Sequence, residues 1–396
     1  MTVVITSAAV LCPIAEDLDG FRTALFEGRS AVEDADGARL AFDLGDWASR
    51  HLDEVTARRL KQVAHRAALP AQTAACVALK AARGLGERAG LIVAGGQPLG
   101  HQADTVLRHR DKPGALRASY ALTHLDVDVV GVVSELTGIR GEGWALGGGS
   151  ASGTLAVVQA ARMITAGWLD QVLVVAPVAE LSAAEFEAFR RTGAMVSPGQ
   201  TCRPFDVERS GFVYGQAAAA VLLERESVAR TPLAEIAGHG HCLDARRGTE
   251  PDSEGQVRAM RAALGSLDPA EVDYVNAHGT GSVLGDETEA RSISRVFGSG
   301  DEPGTRPASG TSDSRPLVNS TKPLVGHCLS AAGLVELVAT VVQLGANTVH
   351  PNVTLGTPID GIRLAGRTAE PHPIRTALSN SFAFGGINAS VLVRAA

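Results

Sequence analysis

A glycine-rich turn, then an apolar helix, then a hydrophobic strand: this pattern runs through the chain twice and limits the available folds more than any other feature. The first copy opens at Gly149-Ser-Ala-Ser-Gly153 and continues as a helix over 154–166 and a strand over 171–176. It returns through Gly211-Phe-Val-Tyr-Gly-Gln216 into a strand over 217–224. The second opens at Gly326-His-Cys-Leu-Ser-Ala-Ala-Gly333 and continues as a helix over 334–344. It returns through Phe382-Ala-Phe-Gly-Gly386 into a strand over 389–394. Strands this continuously apolar are buried on both faces, as in parallel sheets covered by helices. The repeat predicts two similar βαβαβ halves. The join is expected near Arg230-Thr-Pro-Leu233, giving an N-terminal half over 1–230 with Ser150 and a C-terminal half over 231–396 with His278, Lys322 and His327.

Smaller signals fill in this frame. Asp268-Pro-Ala-Glu271 has the capping pattern of a short helical turn ahead of a strand over 274–277. The stretch 298–315, rich in Gly, Ser, Pro, Asp and Thr, reads as a flexible surface loop. The region 107–128 is expected to cover the first half and to contribute to a dimer interface.

Composition excludes several classes of function. A net charge of −7 argues against nucleic-acid binding, which calls for a basic stripe. The five cysteines are an odd number, scattered and without a C-x-x-C pair, so neither a disulfide framework nor a metal site is expected. Met1-Thr-Val-Val-Ile-Thr6 reads as a strand rather than a signal peptide. No apolar run is expected to reach membrane-spanning length, so no membrane association and a cytoplasmic location are expected.

Four polar residues stand at turns where chemistry is possible. Ser150 lies at the mouth of the first helix, where backbone N–H groups and the helix dipole stabilise an anion. Taken alone it reads as a helix N-cap. Its hydroxyl is far more basic than a thiol of pKa ~8.5, so the dipole does not ionise it and a nucleophilic role needs an adjacent base. His278, in Val275-Asn-Ala-His-Gly-Thr-Gly-Ser282, directly follows a predicted strand, a position that faces the crevice of an open α/β sheet. Lys322 and His327 share Asn319-Ser-Thr-Lys-Pro-Leu-Val-Gly-His327, and the repeat is expected to place His327 and Ser150 at equivalent helix mouths. Lys322 is one of only four lysines and lies beside Pro323 in apolar surroundings, so burial is expected, with Glu336 as its partner. In Phe382-Ala-Phe-Gly-Gly386, Gly385 and Gly386 permit close backbone approach and the Phe384 N–H is a candidate oxyanion donor.

Together these motifs resemble the β-ketoacyl synthase family of the thiolase fold. The matches are His-Gly-Thr-Gly at 278–281, Lys322, Gly326-His327, Asn380-Ser-Phe-Ala-Phe-Gly-Gly386 and Arg203-Pro-Phe-Asp206, in the family's order. The resemblance implies a thiolase-like α/β fold, a layered α-β-α-β-α sandwich of two fused halves. It also implies a homodimer, or a heterodimer with a related chain, and a tunnel for pantetheine. Thr280, Ser282, Gly385 and Gly386 match substrate-binding positions. The family's Cys-His-His centre is implied too, but Ser150 stands at the cysteine position. Other departures are Gln216 for an acidic residue, Ser330 for a glycine, and a stretch between Gly96 and Glu135 that looks short for an acyl-binding region.

Ser134-Glu-Leu-Thr-Gly-Ile-Arg-Gly-Glu-Gly143 and Gly149-Ser-Ala-Ser-Gly153 are similar to the ketosynthase-like decarboxylases of polyketide β-branching cassettes, serine included. That likeness implies conversion of malonyl-carrier protein to acetyl-carrier protein for a hydroxymethylglutaryl-synthase-like enzyme acting downstream. No bound cofactor is implied, because the substrate arrives on the phosphopantetheine arm of an acyl carrier protein. The basic stretch Leu107–Arg117, with Arg108, Arg110, Lys112 and Arg117, is a candidate dock for that acidic partner, though it reads equally as a solvated loop. Three other readings stand beside this one: a non-catalytic chain-length factor paired with a true ketosynthase, a serine-dependent acyltransferase and a binding or scaffolding protein.

Overall fold

The computed structural model describes residues 1–33, 35, 37–96, 99–298 and 315–396. In chain order the strands are β1 (Val3–Leu11), β2 (Ala89–Ala94), β3 (Gly143–Leu146), β4 (Gln171–Ala176), β5 (Ala218–Arg225) and β6 (Ala234–Leu243). They continue with β7 (Tyr274–Asn276), β8 (Leu317–Asn319), β9 (Thr348–Val349), β10 (Arg363–Leu364), β11 (Glu370–Pro371), β12 (Thr376–Ala383) and β13 (Ile387–Ala395). Among the described residues, eleven strands share one sheet in the order β10-β8-β7-β12-β13-β6-β1-β5-β4-β2-β3, and β9 pairs with β11 alone.

That order is one arrangement written twice. The run β3-β2-β4-β5-β1 matches β8-β7-β12-β13-β6: three parallel strands followed by two antiparallel ones. The two copies meet where Val4 and Ile5 of β1 pair with Glu235 and Ala234 of β6. The helices Ser152–Thr165 and Ala332–Ala346 pack on each other and touch strands of both copies. Leu69–Ala81 and Val127–Thr137 cover the outer face of the first copy, and Ser253–Leu264 covers that of the second with Val283–Phe297 packed against it. The three largest buried apolar clusters follow: one around the central helix pair and one under each outer layer. The result is the layered α-β-α-β-α sandwich of the thiolase-like fold.

The central helices touch through glycines. A Cβ on Gly153 would lie 2.5 Å from the Leu334 nitrogen, and one on Gly333 would lie 2.2 Å from Thr154 Oγ1. Each helix is entered through a 3-10 turn, Gly149–Ala151 or Leu329–Ala331. The repeat therefore equates Gly153 with Gly333 and Ser150 with Ser330, three residues before each. This corrects the expected equivalence of Ser150 and His327. His327 lies ahead of its turn, and it reaches Ser150 from across the repeat.

A second correction concerns apolar length. Leu329–Ala346 is long and apolar enough, by length and composition, to cross a membrane. It is the buried helix between the two half-sheets, and a helix apolar all round is what that position requires.

Local expectations fare well. β4 has the expected bounds, and Pro269–Glu271 forms a 3-10 turn capped by Asp268 Oδ1, which accepts from the Ala270 N–H at 3.0 Å. Most of the 298–315 stretch falls outside the described residues. The 107–128 region ends the Leu99–His109 helix and passes through short turns into Val127–Thr137, leaving Leu107, Leu122 and Val127 exposed.

Candidate active site

The polar residues singled out above gather at the carboxyl ends of parallel strands, where an open α/β sheet forms its crevice. Ser150 follows β3, His278 follows β7, and Lys322 begins a one-turn helix, Lys322–Val325, just past β8.

Ser152, rather than Ser150, ties down the entry to the Ser152–Thr165 helix. Its Oγ accepts from the Gly148 N–H at 2.8 Å and donates to the Gly149 carbonyl at 2.7 Å. Ser150 is therefore no N-cap. Its Oγ lies 3.0 Å from His327 Nε2.

The direction of that hydrogen bond is fixed from behind. The Leu329 N–H points at His327 Nδ1, 3.3 Å away. A backbone N–H can only donate, so Nδ1 accepts and the ring proton sits on Nε2. His327 thus donates to Ser150. Leu329 adopts a left-handed backbone (φ 49°) to place its N–H there, a conformation that strains a non-glycine residue by about 1 kcal/mol.

The same logic applies to His278. Its Nδ1 lies 3.4 Å from the Lys322 ammonium, which also can only donate. The His278 proton therefore sits on Nε2 as well. The two imidazoles stand edge to face, with centroids 5.5 Å apart. Burial holds both well below the ordinary value of 6.5, and Lys322 pushes each the same way. Both rings are neutral at pH 7, and each offers an Nε2–H.

Lys322 is 1% exposed and fully engaged. Its Nζ donates to Glu336 Oε1 and to the His278 carbonyl as well as toward His278 Nδ1. The pairing with Glu336 expected from the sequence is present.

Two carboxylates that sequence reasoning missed hold the His278 loop. Glu289 accepts from the His278 and Gly279 N–H groups at 2.8 and 2.7 Å. Asp286 accepts from the Gly281 N–H at 3.0 Å and from the Phe205 N–H at 2.7 Å. Both lie on the Val283–Phe297 helix, three residues apart and so on one face. Burial pushes Glu289 up to about 7 and Asp286 up to about 6. The available signal was Asp-x-x-Glu on a helix directly after a glycine turn.

A cavity of about 430 Å³ opens between these groups. Ser150, His278 and His327 line it together with Thr280, Ser282 and Phe384. Glu180, Leu99 and Ser330 are also part of its wall. A neighbouring cavity shares His278, Thr280, Ser282 and Phe384 and runs past Val283 and Leu284, which are exposed. Ser330 presses on Gly95, where an added Cβ would lie 2.6 Å from its Oγ. Gly385 and Gly386 do not line either cavity. They turn β12 into β13 against the 244–248 loop, with the Gly385 N–H on the Gly248 carbonyl at 2.8 Å. Gln216, in place of an acid, still accepts from the Leu40 N–H at 3.0 Å. Asp206 of the Arg-Pro-Phe-Asp motif accepts from the Gly356 and Thr357 N–H groups, so it braces a loop.

The family model described as "Beta-ketoacyl synthase, N-terminal domain" matches residues 1–229, and "Beta-ketoacyl synthase, C-terminal domain" matches 233–356. A polyketide biosynthesis malonyl-ACP decarboxylase of Bacillus subtilis is 31% identical over 99% of this chain and 96% of that protein. A mitochondrial 3-oxoacyl-[acyl-carrier-protein] synthase of Arabidopsis thaliana is 36% identical over 66% of this chain and 58% of its own length. Among solved structures, the ishigamide ketosynthase/chain length factor superposes with a TM-score of 0.85 at 23% identity, covering 100% of this chain and 99% of that one.

Proposed function

The chain belongs to the β-ketoacyl synthase family, and we propose that it decarboxylates malonyl-carrier protein to acetyl-carrier protein. One observation carries this reading: His278 and His327 present two Nε2–H donors to the cavity, and the residue at the nucleophile position receives one of them. The full-length likeness to a malonyl-ACP decarboxylase supports it.

Loss of CO2 from a malonyl thioester leaves an enolate whose oxygen carries the developing charge. The neutral His278 imidazole is fixed as an Nε2–H donor for that oxygen, the His327 Nε2–H turns to it from Ser150 Oγ, and both bind it more strongly than the ground-state carbonyl. Lys322 keeps His278 in the donating tautomer and Leu329 does the same for His327. With Ser150 in place of a thiolate there is no acyl-enzyme for the enolate to attack. The enolate is protonated instead.

A serine acyltransferase would need a base that accepts the Ser150 proton. The His327 nitrogen facing Ser150 carries a proton already, which disfavours that chemistry. A chain-length factor has no need of the intact His278, Lys322 and His327 set. In this reading Thr280 and Ser282 flank the pantetheine arm, and Phe384 sits beside its thioester. The partners are an acyl carrier protein, a second copy in a homodimer, and a downstream hydroxymethylglutaryl-synthase-like enzyme of β-branching. The two halves divide near residue 230.

The test is to mix the protein with malonyl-loaded carrier protein and follow the pantetheine species by mass spectrometry. Acetyl-carrier protein should form and should be lost with His278→Ala. Persistence of intact malonyl-carrier protein with wild type would sink the reading.

A further inference from the structure

Decarboxylation leaves a carbanion equivalent, and the product needs a proton at that carbon. The groups already placed at the reaction centre cannot supply it. His278 and His327 are neutral donors, and giving up their Nε2–H would leave imidazolate anions. Ser150 would be left as an alkoxide. Among the described residues, the carboxyl groups lining the central cavity are Asp126 and Glu180.

Glu180 is set apart by its surroundings. It follows β4, so it too lies at the carboxyl end of a parallel strand. It packs against the start of the Leu99–His109 helix, where a Cβ on Gly100 would lie 3.4 Å from Glu180 Cβ and 3.7 Å from Cδ. Its Oε2 is buried without a hydrogen-bond partner, an arrangement that costs a carboxylate more than a carboxylic acid.

We propose that Glu180 is the acid that protonates the enolate carbon, directly or through one water in the cavity. The inference rests on the decarboxylase reading above. In the step, the bond between C2 and the malonyl carboxylate breaks, CO2 leaves, and the electron pair moves onto the thioester oxygen between the two histidines. The enolate then takes the Glu180 proton on C2 and the carbonyl re-forms. Glu180 is left as a carboxylate and regains its proton from solvent through the cavity.

The charges around Glu180 suit this role. Burial raises its pKa and Asp104 adds to the effect, against the His101 backbone N–H, which favours the charged form. Asp126 faces the same cavity, and Tyr214, near Arg39, packs close by. An entering malonyl carboxylate disfavours a second negative charge beside it, which pushes Glu180 further toward its protonated form.

The test compares wild type, Glu180→Gln and Glu180→Asp on malonyl-carrier protein in 13C-bicarbonate buffer, with folding checked by thermal melting. Glu180→Gln should form acetyl-carrier protein at least about tenfold more slowly. It should also place 13C in the residual malonyl group, because a longer-lived enolate recaptures CO2. Glu180→Asp, which keeps an acid, should recover rate and suppress the exchange. Wild-type rate, wild-type pH profile and no exchange in Glu180→Gln would overturn the proposal, as would equal loss in Glu180→Asp and Glu180→Gln with both folded. Inactive wild type would instead overturn the decarboxylase reading.

Discussion

Lys322 directs its ammonium at His278 Nδ1 across 3.4 Å while it is paired with Glu336, so one buried cation decides which nitrogen of His278 carries the proton. Electrostatic support and tautomer control are the same contact. The lysine never touches the place where substrate would sit, yet without it the His278 ring is free to present a lone pair to the cavity.

Replacing Lys322 should therefore harm stability and activity separably. Lys322→Met leaves Glu336 buried without its cation and should cost about 3–5 kcal/mol in urea denaturation. The double variant Lys322→Met with Glu336→Leu should regain most of that stability, since an apolar pair of similar volume tolerates burial. Its decarboxylation should stay low, because nothing then orients His278. Recovery of activity in the double variant would refute the positioning role.

The tautomers can be read directly. In protein labelled with 15N at histidine, His278 and His327 should both show a protonated Nε2 and an unprotonated Nδ1 from pH 6 to pH 8. Their lowered pKa values predict no titration near 6.5. A protonated Nδ1 on either ring would remove the donor pair on which the mechanism depends.

Much of this site was legible because each residue announced itself by its neighbours. His278 and Lys322 follow strands, and a lysine beside proline in an apolar stretch has few options but burial. The Lys322–Glu336 pair followed from the same reasoning. Asp286 and Glu289 were harder to read, because helix carboxylates ordinarily face water; Asp-x-x-Glu after a glycine turn is a faint signal, and the partners that bury them are backbone N–H groups that it does not name. The equivalence of Ser150 with Ser330 was hidden for a related reason. It rests on Gly153 and Gly333 touching across the central helices, a contact visible only in three dimensions. The apolar length of Leu329–Ala346 was visible in the sequence but not the two half-sheets that enclose it.

Ser150 offers a gain-of-function test. Ser150→Ala removes one neutral hydrogen bond, worth about 1 kcal/mol, so decarboxylation should persist within roughly tenfold. Ser150→Cys places a thiol at the helix mouth beside the His327 Nε2–H, where a thiolate is favoured. That variant should become sensitive to alkylation and should carry an acetyl adduct after incubation with acetyl-carrier protein. Both readouts come from intact-protein mass spectrometry. Loss of decarboxylation in Ser150→Ala would point instead to a covalent serine step.

Glu289 makes a prediction about stability against pH. Burial raises its pKa from 4.5 to about 7. Between those values the folded protein holds a proton that the unfolded chain has released, so this contribution is full below 4.5 and is lost as pH rises through 7. Asp286, raised from 3.8 to about 6, adds a slope of the same sign. His278 and His327 act oppositely: their contribution is present above 6.5 and is lost as pH falls, because the unfolded chain then binds protons that the fold excludes. Glu289→Gln removes one titration of the first kind. It also turns an amide NH2 toward the N–H of His278 or Gly279, at a cost of about 1–3 kcal/mol at every pH. The stability advantage of wild type over Glu289→Gln should therefore be largest near pH 5 and shrink by roughly 2–3 kcal/mol by pH 8. Urea denaturation across that range measures it. A constant difference would mean that the two backbone donors keep Glu289 ionised throughout.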